Sequence, residues 1–129
     1  MKRENISSGA VYENIVGYSR AVRIGKQILI SGTAPILQDG TTAYPGDLYK
    51  QTKKCLEIIE DAIIKAGGKV HDVVRTRVFL VNASDWKAAG KAHGEFFKNI
   101  KPCCTFVGIN ELIKDDWLVE IEADCIMSD

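Results

Sequence analysis

The sequence predicts an α+β protein folded as one domain over residues 1–129, with the element order ββαβαββ and both helices on one face of a mixed sheet. Three observations carry this. Two short strand-like runs flank Gly25-Lys26; two stretches repeat apolar residues at three- and four-residue steps; and apolar strand patterns recur at 73–81, 103–109 and 118–127. A helix between two strands is a crossover that returns the chain parallel to itself, whereas a tight turn reverses it, so both kinds of pairing are expected in the sheet.

Taken in order, residues 18–24 and 27–31 form the expected hairpin, since Gly25 can adopt positive φ at the turn. A loop punctuated by Gly40, Pro45 and Gly46 follows. Asp47 then supplies an N-cap for a helix whose apolar face includes Leu48, Thr52, Cys55, Leu56, Ile59 and Ile63, and Gly67-Gly68 ends it. The β-branched run at 73–81 reads as a strand, Asn82-Ala83-Ser84 as a turn and cap, and 85–98 as the second helix. Residues 103–109 and 118–127 complete the sheet. No repeat, low-complexity tract or linker interrupts the chain.

Charge and composition narrow the partners. Seventeen basic and 17 acidic residues give a formal net charge of zero, so no global field draws nucleic acid or an anionic membrane. No apolar run approaches the roughly 20 residues needed to span a bilayer, and the polar start Met1-Lys2-Arg3-Glu4-Asn5 does not open a signal-peptide core. The expectation is a cytoplasmic protein that binds neither nucleic acid nor membrane. The 4 cysteines, at 55, 103, 104 and 125, include no CxxC pair or His-Cys ligand spacing, so a metal site is not expected; reduced thiols acting as small hydrophobes are.

The last quarter of the chain carries the chemistry. Glu120 and Glu122 share a face of one strand, flanked by Val119 and Ile121. Two neighbouring carboxylates are costly if both are buried without partners, so at least one should face a pocket, a partner or water.

This arrangement, with Lys101-Pro102-Cys103-Cys104-Thr105 on the preceding strand, resembles the C-terminal signature of the RidA/YjgF/YER057c/UK114 family. Further matching pieces are Gly17-Tyr18-Ser19-Arg20-Ala21-Val22, Ser31-Gly32-Thr33-Ala34-Pro35, Val74-Arg75-Thr76-Arg77-Val78 and His93-Gly94-Glu95-Phe96-Phe97. Each is weak alone; in this order they are specific, and they cover nearly the whole chain. The resemblance implies a fold like the trimeric bacterial chorismate mutase, with three sheets packed into a barrel and ligand clefts at the subunit boundaries. A sheet with helices on one face only leaves the other to be covered by further chains, which agrees with a homotrimer. The resemblance also implies hydrolysis of reactive enamines and imines to keto acids and ammonia, without metal or cofactor.

Carried over residue by residue, the resemblance assigns Tyr18, Ser31 and Gly32 to the cleft lining and Glu120 to the catalytic glutamate that positions water. Cys104 stands where the family places an arginine that grips the substrate carboxylate, so this chain resembles the family's arginine-lacking branches. A neutral thiol cannot form that charge-assisted fork, and its loss weakens binding of a buried carboxylate by about 2 to 5 kcal/mol. Arg20, two residues after Tyr18 on the predicted strand, is the expected substitute, with Arg77 a second candidate; the competing reading pairs both with carboxylates. Cys104 reads as a nucleophile or, more simply, as a packing residue, since no histidine is spaced in sequence to support it. His93, at helical spacing with Ala89, Phe96 and Phe97, reads as a satisfied half-buried histidine.

Two readings follow. In the first, the cleft hydrolyses a small imine, enamine or related metabolite, with Glu120 directing water and Tyr18, Arg20, Ser31, Gly32 and Cys104 binding the ligand, a carboxylate in the simplest case. In the second, a trimer binds a metabolite in a regulatory role without turning it over. A ribonuclease function of the L-PSP kind draws no support from a neutral chain without a basic stripe.

Overall fold

The computed structural model describes residues 1–128. Among them the strands are β1 (Arg3–Ile6), β2 (Ala21–Ile24), β3 (Gln27–Thr33), β4 (Val73–Leu80), β5 (Cys103–Gly108) and β6 (Val119–Ile126). The helices are α1 (Val11–Val16), α2 (Leu48–Lys65) and α3 (Trp86–Phe97), with single 3₁₀ turns at Val70–Asp72 and Ala83–Asp85. All six strands join one sheet in the order β1-β2-β3-β6-β4-β5.

The β2–β3 hairpin turns at Gly25, whose φ is +60°, and pairs Ile24 with Gln27. Pairing is antiparallel everywhere except between β4 and β5, which α3 connects as a crossover. The last strand, β6, inserts between β3 and β4, so the C-terminal segment bonds on both edges and lies at the centre of the sheet. Asp47 caps α2 by accepting from the Lys50 N–H at 2.9 Å. At the other end the Gly68 N–H reaches back to the Ile63 carbonyl at 2.9 Å, with Gly67 at φ +95°.

The core lies between α2, α3 and one face of the sheet. Val119, Ile121, Ala123 and Cys125 of β6 are buried there with Ile28 and Ile30 of β3, Val78 and Leu80 of β4, and Leu56, Ile59 and Ile63 of α2. Burial pushes the Cys125 thiol up to about 12 and raises that of Cys55 further still, so both behave as apolar core groups. On the opposite face Leu29, Val107 and Ile126 are exposed beside Arg77, Glu122 and Asp124. No helix of the described residues is long and apolar enough to cross a membrane.

Two elements precede the expected ββαβαββ order. Strand β1 is polar and exposed over most of its length and adds to the β2 edge through backbone pairing, with Asn5 Nδ2 donating to Ser19 Oγ and Ile6 alone reaching the core, so no hydrophobic pattern announces it. Helix α1 has no side-chain N-cap and is held instead by Glu13, whose carboxylate accepts from the Ser8 N–H at 3.0 Å and the Ser8 hydroxyl at 2.7 Å. Its end at Gly17, φ +87°, also moves the start of the hairpin strand from residue 18 to Ala21.

Candidate functional site

The segment entering β2, the end of β3, the start of β6 and one side of α2 enclose an open cleft of about 590 Å³. Four of the expected residues line it: Tyr18, Arg20, Gly32 and Glu120, with Trp117 beside them. Tyr18 and Arg20 meet through the turn after Gly17 rather than through strand alternation, with the Arg20 Cζ 5.5 Å from the centre of the Tyr18 ring. The Arg20 carbonyl accepts from the Ser31 N–H at 3.0 Å, which fixes its backbone to β3. Arg20 is only 6% exposed; its guanidinium donates from Nη1 to Thr33 Oγ1 at 3.0 Å and has an Nε–H without an acceptor among the described residues. A buried donor left in that state is costly, and it marks Arg20 as a group ready to take a further acceptor.

A register shift between Ile30 and Thr33 sets Ser31 and Gly32 out of the regular β3–β6 ladder. At Gly32 the missing side chain is what admits Glu120: a Cβ there would lie 3.2 Å from both Cδ and Oε2 of the glutamate. Burial raises the Glu120 carboxyl above its usual range, the Arg20 charge partly offsets this, and neighbouring Glu122 adds to the rise. The two glutamates of β6 thus have different fates. Glu122 accepts from Arg77 Nη1 at 3.1 Å, with Asp124 3.5 Å from the same nitrogen, so Arg77 is engaged with carboxylates of its own chain. Glu120 is left facing the cleft.

Ser31 donates its hydroxyl to the Ser19 carbonyl at 2.6 Å and faces a second hollow, shared with Tyr18 but not with Glu120. Cys104 stands apart from the cleft. Its register beside Thr76 in the parallel β4–β5 pair turns the thiol toward the helix layer, where Sγ lies 3.7 Å from His93 Nε2. The same nitrogen lies 2.8 Å from Thr76 Oγ1. Within one chain, then, Cys104 does not meet Tyr18, Arg20 or Glu120, and the histidine that sequence spacing did not supply is brought to it by α3. The only available signal was the pairing of Thr76 with Cys104, which a single sequence does not contain.

Gln51 is the other residue that sequence reasoning passed over. It is fully buried on α2, donates from Nε2 to the Asp116 carbonyl at 2.9 Å and the Ala43 carbonyl at 3.2 Å, and accepts the Leu118 N–H at 2.8 Å. Thr42 Oγ1 bonds Asp116 Oδ1 at 2.7 Å, and Lys114 Nζ bonds the Gly40 carbonyl at 2.8 Å. These contacts join the loop after β3 to the loop before β6, and both border the cleft. A signal was present here: steps of three and four from Leu48 place Gln51 on the apolar face of its helix. Among the described residues no three His, Cys, Asp or Glu side chains lie together in a metal-binding group.

Comparison with known proteins identifies the fold and the lineage. A Mycobacterium tuberculosis protein described as a member of the YjgF/YER057c/UK114 family superposes with a TM-score of 0.89 and 39% identity, covering 98% of this chain and 100% of that one. A RutC family protein of Pyrococcus abyssi is 32% identical over 95% of this chain and 96% of its own length. The 3-aminoacrylate deaminase RutC of Acinetobacter baylyi is 29% identical over 94% of this chain and 95% of its own. With residues 10–127 matching the Endoribonuclease L-PSP family and relatives of this kind along nearly its full length, the chain belongs to the YjgF/RutC family, the group also called RidA or UK114.

Proposed function

We infer that the protein hydrolyses a small imine, enamine or related metabolite in the cleft between Tyr18, Arg20 and Glu120, without metal or cofactor, as a homotrimer whose subunit boundaries complete three such clefts. The observation that carries this reading is the pairing of a half-buried carboxylate with a buried, incompletely bonded guanidinium in one cleft. Glu120 in its ionised form accepts a proton from a water molecule as that water attacks the carbon of a C=N bond. The carbinolamine formed then collapses to a carbonyl compound and ammonia, with the proton returned to the departing nitrogen. Arg20 supplies positive charge for an anionic or polar substituent, the task that a thiol at position 104 cannot perform. Assembly is supported by the apolar residues on the sheet face away from the helices, where Leu29 and Ile126 are more than half exposed in one chain. The deaminase relative supports the reaction class.

Ammonia release from freshly generated 2-aminoacrylate or iminopropionate tests the function. The expected outcome is turnover above buffer, lowered about 100-fold or more in Glu120→Gln, with both proteins trimeric by light scattering. Turnover indistinguishable from buffer in a correctly assembled trimer favours the non-catalytic metabolite binder. That alternative draws its support from Cys104, which leaves the family's arginine position without a cation.

A further inference from the structure

The strand β5 presents two adjacent thiols in different surroundings. Cys103 and Cys104 are both exposed, but successive side chains on a strand point to opposite faces. Cys104 alone faces α3, with Sγ 3.7 Å from His93 Nε2. His93 is 9% exposed and is held by several contacts at once. Thr76 Oγ1 of β4 lies 2.8 Å from Nε2, the Phe97 ring centre is 4.7 Å away on the same helix, and the Phe106 ring of β5 is 5.7 Å away. Those packed neighbours carry no charge. Burial lowers the proton affinity of His93, which favours the neutral ring; in the tautomer with its hydrogen on Nδ1, the single lone pair of Nε2 lies within reach of either the Thr76 hydroxyl or the Cys104 thiol.

We propose that Cys104 and His93 form a nucleophilic thiol pair that takes small, uncharged α,β-unsaturated carbonyl compounds as covalent ligands. The pair rests on contacts within one chain, in which Cys104 does not line the Glu120 cleft. As the thiol proton passes to His93 Nε2, Sγ forms a bond to the β-carbon of the acceptor. The C=C π pair moves into the carbonyl as an enolate, and the proton held by His93 is delivered to the α-carbon. Sulfur is alkylated, no bond other than the C=C π bond is lost from the acceptor, and no oxidant or reductant enters. The class follows from the chemistry: sulfur is a soft nucleophile, and the side chains packed against His93, Thr76, Phe97 and Phe106, are neutral, so none of them favours an anionic acceptor. The other cysteines lack this setting, since Cys55 and Cys125 are buried in the core and Cys103 faces away from His93.

N-ethylmaleimide is the probe, applied to the full native protein and followed by intact mass and peptide mapping. Labelling is expected at Cys104 at least tenfold faster than at Cys103, each rate isolated with Cys103→Ser and Cys104→Ser. Between about pH 6 and 8 the Cys104 rate should change little, because the histidine rather than hydroxide takes the proton; the Cys103 rate should rise with pH more steeply than that of Cys104. His93→Gln, which keeps a hydrogen-bonding partner for Thr76, is expected to slow Cys104 about tenfold and give it the same steep pH dependence as Cys103. Equal labelling of the two cysteines, or an unchanged Cys104 rate and pH slope in a folded His93→Gln protein, overturns the proposal. Should His93→Gln not fold, the contrast in pH slope between the two serine variants decides the matter by itself.

Discussion

Replacing Gln51 by leucine is expected to be among the most damaging single changes outside the apolar core. The side chain is 0% exposed and its amide closes bonds to the Asp116 and Ala43 carbonyls and from the Leu118 N–H, at 2.8 to 3.2 Å. Leucine fills nearly the same volume but strands the partners left behind. An unpaired buried polar group costs about 1 to 3 kcal/mol, and the Leu118 N–H, at the entry to the central strand β6, is the least able to turn to water. Taking about 1.5 kcal/mol for each of the three, the loss is about 4 to 5 kcal/mol, or roughly 12 to 18 °C in Tm for a chain of this size. The damage should also reach function, since Trp117 lines the cleft and its loop is tied to α2 through Gln51. Urea unfolding and calorimetry of the wild-type protein and Gln51→Leu measure the first effect, and ligand binding in the folded variant measures the second. A loss below about 1 kcal/mol would refute the bonding described for this side chain.

Further outcomes follow from the cleft. Burial raises the Glu120 carboxyl, so folding favours its protonated form; that contribution is complete below the ordinary carboxylate range and is lost as pH rises through the raised value. Glu120→Gln should therefore melt above the wild-type protein at pH 7, with the gap closing toward about pH 4; a variant less stable at pH 7 would contradict this. Gly32→Ala places a methyl 3.2 Å from the glutamate's Cδ and Oε2. The side chain can move aside, so stability should fall by no more than about 1 kcal/mol, while turnover drops about tenfold or more because the carboxylate is displaced; full activity would mean that its position is not critical. Cys104→Arg restores a guanidinium at the family's arginine position and should tighten pyruvate binding about tenfold or more, read by calorimetry. No gain in an intact trimer would mean that β5 does not border a neighbour's cleft.

What was legible in the sequence was whatever burial writes as a period. The capped and glycine-ended helix α2 and the strands β4 and β6 follow their apolar patterns to within a few residues, because one face of each is held against the core. Strand β1 and helix α1 carry no such pattern. One is fixed by backbone pairing to β2 and the other by Glu13 reaching back to Ser8, and neither appears as hydrophobic spacing. Arg20 was expected beside Tyr18 from strand alternation and meets it instead through the turn after Gly17, while the irregularity at Ser31-Gly32 is what admits Glu120 to the same cleft. For Cys104 the local sequence was uninformative, because its neighbour His93 comes from another layer and depends on the register of β5 beside β4.

The central claim is that a small molecule binds where Arg20 and Glu120 face the same cleft. A crystal structure of the purified protein soaked with pyruvate, the carbonyl product of iminopropionate hydrolysis, tests it most directly. The account predicts a trimer with pyruvate in each cleft, its carboxylate accepting from the Arg20 guanidinium at about 2.7 to 2.9 Å and its carbonyl carbon within reach of a water held by Glu120. Pyruvate bound elsewhere, with Arg20 and Glu120 untouched in a fully assembled protein, would contradict it.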